Sequence, residues 1–138
     1  MDSLDMAGHL IRRLHQQSTL VFVQRTQAAG FDLTPIQFAA LDAIHNHPGT
    51  DQATVAELIA YDRATIGGVI ERLEQKGWVD RVVSERDRRA RELSLTPEGQ
   101  RTFKALTTEL SKCLCCTGII GRIVHRHLGT RTAEGKGH

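Results

Sequence analysis

Apolar side chains recur with helical spacing in five segments of this 138-residue chain, and one later segment alternates as strands do. The first helical segment is residues 4–28, which Gly30 ends. In the second, Thr34 and Gln37 form a capping box around Pro35, which suits the first helical position. These local signals predict two helices separated by a short connection.

Two short helices follow at 53–60 and 63–76. Asp62 is the predicted N-cap of the second helix, and Gly77 ends that helix in the left-handed conformation. The side chains predicted to face inward are Val55, Leu58, Ile59, Ile66, Val69, Ile70 and Leu73. Two short helices joined by a tight turn form a helix-turn-helix.

A β-hairpin is predicted next. Residues 78–83 are rich in strand formers, and Leu93 and Leu95 alternate with polar residues as in a half-buried strand. Residues 84–89 form the predicted tip, and Thr96 caps a fifth helix. The predicted fold class is therefore mainly α with a small β-hairpin wing.

Charge is distributed unevenly along the chain. The net charge of +2 is too small to indicate nucleic acid by itself, but residues 81–91 hold five arginines against Glu85 and Asp87. A charge run is often only a solvated face. Directly after a helix-turn-helix, however, a basic hairpin points to DNA, because Arg suits the negative potential of a narrow minor groove.

Candidate DNA contacts follow from this geometry, since the second helix of such a motif reads the major groove with its first residues. On that helix the outward or lateral residues are Arg63, Ala64, Thr65, Gly67, Gly68 and Arg72. At the tip they are Arg86, Arg88 and Arg89. We expect Asp87 to pair with an arginine and brace the tip. The two adjacent glycines indicate either close approach of a backbone or a tolerant surface.

Three motifs resemble the MarR family of winged-helix regulators: L-x-x-K-G-W-V-x-R at 73–81, D-R-R-x-x-x-L-x-L-T-x-x-G at 87–99, and L-T-x-x-Q-F-x-x-L at 33–41. The resemblance implies a homodimeric transcription factor with a winged helix-turn-helix fold that binds double-stranded DNA. It gives Arg89 the place of the wing arginine and Asp87 that of its bracing acid. It implies a dimerisation and effector helix in 1–33, a DNA-binding domain in 34–96 and a C-terminal dimerisation region in 97–128. The last region departs from the family after 112, and the composition of 129–138 predicts a disordered tail.

The N-terminal helix and the run at 61–73 resemble MarR-type repressors of aromatic-acid catabolism. That resemblance implies a pseudo-palindromic operator and an inducer that is a small aromatic carboxylate or its CoA thioester. The polar groups of the first helix that suit such a ligand are Arg12, Arg13 and His15. For any single one of these residues, the composition favours a solvated surface group over a ligand contact.

Other classes of protein are less well supported. A zinc-responsive regulator would use ligands among His45, His47, Cys113, Cys115, Cys116, His125 and His127, but their spacing does not match common zinc sites. A redox-responsive regulator of this family would need a cysteine in the first helix, where none occurs. No hydrolase or nucleotide-binding motif is present, so we expect neither an enzyme nor a cofactor.

The two ends of the chain differ in what they predict. The chain has no apolar run long enough for a bilayer and no signal-peptide pattern, so we expect a cytoplasmic protein without a membrane partner. After residue 112 the helical pattern is lost and acidic residues disappear up to residue 133. This change indicates either divergence from the family or a disrupted end of the gene.

Overall fold

The computed structural model describes residues 6–112 of the chain. In this range lie α1 (Ala7–Ala28), α2 (Pro35–Asn46), α3 (Gln52–Leu58), α4 (Arg63–Gln75), β1 (Val79–Val83), β2 (Arg91–Leu95) and α5 (Pro97–Ser111). The two strands pair antiparallel. The predicted fold class is confirmed, and the strands leave a tip of residues 84–90, one residue longer than predicted.

The described residues divide into two compact units, 33–106 and a second one formed by 6–32 with 107–112. The core of the first unit consists of fully buried side chains from its helices and from β2: Leu41, Ile44, Val55, Ile66, Ile70, Leu73, Leu93 and Leu106. Within residues 6–112, no helix combines the length and hydropathy that a bilayer span needs.

Helix starts follow the predicted capping chemistry. Thr34 accepts a hydrogen bond from the main-chain N–H of Gln37, and the Gln37 side chain accepts one from the N–H of Thr34, which completes the capping box. Asp51 and Asp62 accept hydrogen bonds at the starts of α3 and α4 from main-chain N–H groups three residues later. These caps position α3 and α4 as a helix-turn-helix.

One burial prediction for the helix-turn-helix is wrong. Leu58 was expected to face inward, but its side chain is 48% exposed. The helix α3 ends at Leu58, and its inward side is formed by Val55 and Ala56, with Ile59 half-buried beyond the end. The inward stripe therefore includes Ala56, a small residue whose contribution the apolar pattern understated.

Helices α1, α3 and α4 end in the same hydrogen-bonded motif. In each, the N–H groups of two successive residues donate to carbonyls of the last helical turn, and the first of these two residues has a positive φ. Gly30 and Gly77 occupy that position in α1 and α4 with φ of +84° and +74°. Ala60 occupies it in α3 with φ of +57°, and its Cβ makes this conformation costly.

We expect Ala60→Gly to raise the free energy of unfolding by about 0.5–1 kcal/mol, because the left-handed strain exceeds the extra entropy of an unfolded glycine. Urea denaturation measures the change. Gly77→Ala is the matched control at the same position of the α4 motif, where a Cβ has no heavy atom closer than 3.8 Å, and we expect it to lose about 1 kcal/mol. Two changes of the same sign would contradict this account.

The hairpin is attached to the helical core at its base. Leu93 of β2 exchanges two main-chain hydrogen bonds with the segment before α3, donating to Thr50 O (2.7 Å) and accepting from Gly49 N (3.0 Å). Thr96 donates its N–H to Trp78 O (3.0 Å) and its hydroxyl to Gly77 O (2.6 Å). These bonds join the lower part of the hairpin to the segment before α3 and to the end of α4.

Candidate DNA interface

The outer surface of α4 is rich in small and basic residues. Arg63, Ala64, Thr65, Gly68 and Arg72 are exposed, and Gly67 is half-buried. The opposite side is anchored in the core by Ile66, Val69, Ile70 and Leu73, as predicted. Between Arg63 and Glu71, the side of α4 that is not buried therefore carries only small residues.

The two glycines of α4 have different surroundings. A Cβ on Gly67 would lie 3.2 Å from Nε2 of Gln52, and that amide donates to Arg63 O at 3.5 Å. A Cβ on Gly68 would meet nothing within 4 Å. Gly67 thus accommodates the side chain of Gln52 from α3, a contact that sequence reasoning missed, whereas Gly68 leaves open space on the outer surface.

The start of α4 is held by Asp62. Its carboxylate accepts the main-chain N–H of Thr65 at 2.8 Å and the Thr65 hydroxyl at 2.5 Å. Both bonds lower the pKa of Asp62 below its ordinary value of 3.8, and the bond from the Thr65 hydroxyl has the larger effect. Hydrogen bonds from Thr54 lower the pKa of Asp51 in the same way, and the charge of Arg63 acts in the same direction.

These depressed pKa values predict acid sensitivity. The stabilisation from both caps is present above about pH 4 and is lost as the pH falls through the lower pKa values of the folded state. We expect wild type to lose more stability between about pH 6 and pH 3 than the double variant Asp51→Asn with Asp62→Asn. The asparagines of this variant still accept the capping hydrogen bonds but do not titrate. Urea denaturation at the two pH values measures this difference, and identical acid losses would contradict it.

The wing tip is built from hydrogen bonds to its own main chain. The Ser84 hydroxyl accepts the N–H groups of Arg86 (3.2 Å) and Asp87 (3.4 Å), and the Asp87 carboxylate accepts the N–H of Arg89 (2.9 Å). Sequence reasoning expected an arginine side chain as the partner of Asp87 and overlooked Ser84. The signal was the tendency of Ser and Asp to bond main-chain N–H groups in turns.

Arg88 and Arg89 lie at the apex of this tip. The N–H of Ala90 donates to Asp87 O at 3.0 Å, which makes residues 87–90 a four-residue turn with the two arginines in its centre. Among residues 6–112, no ion pair involves Arg63, Arg72, Arg86, Arg88 or Arg89. These residues are exposed and form no ion pair there, so their charges are available to an anionic partner.

The candidate effector residues lie on α1, in the unit that does not contain the helix-turn-helix. Arg12, Arg13 and His15 are all exposed. Their side chains make no hydrogen bond or ion pair with another residue of the described range. The structure leaves these three side chains accessible on the surface of α1.

Two of the candidate zinc ligands lie within the described range, and the other five lie after it. His45 bonds Gln100 through Nδ1 (3.1 Å), and its ring centroid lies 4.5 Å from that of Phe103. His47 is exposed at the end of α2. Within residues 6–112 no three His, Cys, Asp or Glu side chains cluster for a metal. Cys113, Cys115, Cys116, His125 and His127 lie outside the described residues.

Comparison with known proteins shows which family has this architecture. A MarR family profile matches residues 31–90. The HTH-type transcriptional repressor NicR of Pseudomonas putida is 36% identical over 105 residues, and the match spans 76% of this chain and 65% of NicR. NicR is named as a transcriptional regulator and not as an enzyme, in agreement with the prediction for this chain.

Two solved structures share the fold. The PcaV transcriptional regulator of Streptomyces coelicolor, in complex with its natural ligand, is 32% identical with a TM-score of 0.78, covering 98% of this chain and 96% of PcaV. BpsR of Bordetella bronchiseptica, whose DNA binding is regulated by 6-hydroxynicotinic acid, has a TM-score of 0.79 at 24% identity, covering 99% of each chain. With its helix-turn-helix, basic wing and these relatives, the chain belongs to the MarR family of DNA-binding transcriptional regulators.

Proposed function

We propose that this protein is a cytoplasmic repressor that binds a pseudo-palindromic operator as a homodimer and releases it when a small aromatic carboxylate or its CoA thioester binds. The observation that carries the proposal is one compact unit that presents both an arginine-bearing helix, α4, and a turn with Arg88 and Arg89 at its apex. In this scheme residues 34–96 bind DNA, with α4 in the major groove and the wing in the minor groove.

An exposed apolar face on α1 supports assembly with a second copy. Leu10, Ile11 and Leu14 are 49%, 67% and 57% exposed, and their spacing places them on one side of the helix. A helix in water normally buries such a face. A second copy is the occupant that fits, because a regulator with one reading helix per chain covers two symmetric half-sites only as a dimer.

We expect Leu14→Glu in the full chain to convert the dimer to a monomer, because a charge would be placed in the apolar interface. Sedimentation velocity measures the mass, and operator affinity should fall more than about tenfold since one half-site is lost. Gln16→Glu introduces the same charge on another, exposed side of α1 and should leave the dimer intact. A Leu14→Glu protein with wild-type mass would contradict this interface.

The proposed effector site includes Arg12, Arg13 and His15. A guanidinium binds a carboxylate through two parallel hydrogen bonds, and the absence of acidic partners for these arginines within residues 6–112 leaves them available. The regulation of BpsR by an aromatic acid supports the same class of ligand, and the name of NicR supports repression. The ligand can lower DNA affinity by no more than the ratio of its own affinities for the DNA-free and the DNA-bound conformation.

Fluorescence anisotropy with a labelled operator tests this function. Benzoate, 4-hydroxycinnamate and its CoA thioester are added separately, and we expect one of them to weaken binding at least about tenfold. Arg12→Ala with Arg13→Ala should bind DNA normally but lose the response, whereas Arg25→Ala, elsewhere on α1, should keep it. Release by zinc and by none of the acids would contradict the proposed effector and favour a metal-responsive regulator.

A further inference from the structure

An ion pair joins the recognition helix to the wing. Arg81 Nε lies 3.2 Å from Glu74 Oε1, and the two side chains are 32% and 31% exposed. Glu74 is in the last turn of α4, and Arg81 is the third residue of β1. We infer that Glu74 and Arg81 are positioning residues that set the angle of the wing against the recognition helix. The inference rests on the proposed use of both elements in DNA binding.

The pair lies where core support for the hairpin ends. Arg81 is paired in register with Leu93, which is fully buried and bonded to Thr50. Farther along β1, Val82 and Val83 are 58% and 42% exposed. The tip begins three residues beyond Arg81, about 10 Å away at about 3.3 Å per residue. A small rotation of the strands at Arg81 therefore becomes a much larger displacement of the tip arginines.

Other contacts hold only the base of the hairpin. Lys76 Nζ lies 4.9 Å from the centroid of the Trp78 ring and 3.5 Å from Gln37 Oε1, and Thr96 bonds the main chain of Trp78. All of these contacts are made at the base of the hairpin, at residues just before β1 or just after β2. A two-stranded ribbon is marginally stable without further packing. Among the ion pairs of residues 6–112, this pair is the one that joins α4 to β1. It lies closer to the tip than the contacts at Trp78 do.

The variant Glu74→Gln distinguishes a role in positioning the wing from a simple effect of charge on DNA affinity. Removal of an acidic group near DNA strengthens its general attraction to phosphate, so charge alone predicts tighter binding of Glu74→Gln. Positioning predicts the opposite, a loss of about threefold to fivefold, the size expected for a partly exposed pair. Glu71→Gln is the matched control, since Glu71 is exposed on the same helix and forms no ion pair within residues 6–112. It should bind DNA as tightly as wild type or more tightly.

The test measures operator affinity by fluorescence anisotropy for wild type, Glu74→Gln, Arg81→Gln and the swapped protein Glu74→Arg with Arg81→Glu, each with and without Arg89→Ala. We expect both single variants to bind more weakly and the swapped protein to recover to within about twofold of wild type, because it restores the pair. In Glu74→Gln the additional loss caused by Arg89→Ala should shrink by about the same threefold to fivefold factor, because both changes act on the same wing contact. Urea midpoints should fall by no more than the loss of one surface ion pair accounts for, which excludes a general loss of stability.

Two results would overturn the inference. Binding of Glu74→Gln equal to or tighter than that of wild type would show that the pair positions nothing. A swapped protein as weak as Arg81→Gln would show that Arg81 itself contacts DNA. If the wild-type protein binds no duplex, the proposed function fails together with this inference. If the wild type binds and Glu74→Gln has the same operator affinity, only this inference fails.

Discussion

Arg89→Ala should weaken operator binding by about 10- to 100-fold, since a specific arginine contact contributes about 1–3 kcal/mol. Arg89 is in the centre of the turn formed by residues 87–90, and Asp87 fixes its main chain by accepting its N–H. The guanidinium is therefore carried at the apex of the wing, where it has no acidic partner within residues 6–112. Arg fits the narrow minor groove, where the negative potential is strongest.

The salt dependence of this binding identifies the kind of contact. Each arginine that displaces counterions contributes about 1 to the slope of log affinity against log salt, so a dimer of Arg89→Ala should lose about 2. Arg91→Ala is the control, because it removes the same charge from β2, off the apex of the turn. It should change affinity by less than about threefold. An Arg89→Ala protein with wild-type affinity would show that the wing does not bind DNA as proposed.

Gly99→Ala should lower the free energy of unfolding by about 3 kcal/mol, the upper part of the range for overpacking. A Cβ at this position would lie 2.0 Å from Trp78 O and 2.8 Å from Trp78 C. The main chain of Trp78 is fixed on both sides, because its N–H donates to Leu73 O (3.0 Å) and its carbonyl accepts from Thr96 N (3.0 Å). Neither α5 nor the strand can yield without breaking one of these bonds.

Gly68→Ala is the control for this substitution. A Cβ on Gly68 meets nothing within 4 Å, and alanine is about 1 kcal/mol more favourable than glycine inside a helix. We therefore expect the two glycine-to-alanine changes to shift the urea midpoint in opposite directions. Equal stability of Gly99→Ala and wild type would mean that α5 starts farther from Trp78 than the structure shows.

Local features of the fold were predictable from the sequence because they depend on neighbours within four residues. The capping box at Thr34, the cap at Asp62 and the left-handed exit at Gly77 are all of this kind, and all are confirmed. The glycine at the end of the D-R-R-x-x-x-L-x-L-T-x-x-G motif was visible as a pattern. Its reason, the approach of Gly99 to the carbonyl of Trp78, required the folded chain.

Contacts between distant segments were not predictable in the same way. The pairing of Glu74 with Arg81 crosses from helix to strand, and the approach of Gln52 to Gly67 depends on how α3 meets α4. Asp87 has several arginines nearby in sequence, yet its carboxylate bonds the main chain of Arg89. Each of these choices depends on which donor the tertiary structure brings within reach, and composition does not encode that.

The central claim is that two copies of this chain read two symmetric half-sites, each with α4 and a wing. Selection from random duplexes by the full-length protein, followed by footprinting of the enriched sequence, tests it most directly. The account predicts an inverted repeat with half-site centres about 10 base pairs, roughly 34–36 Å, apart. Enrichment of a single half-site bound by one chain, or of no sequence at all, would contradict it.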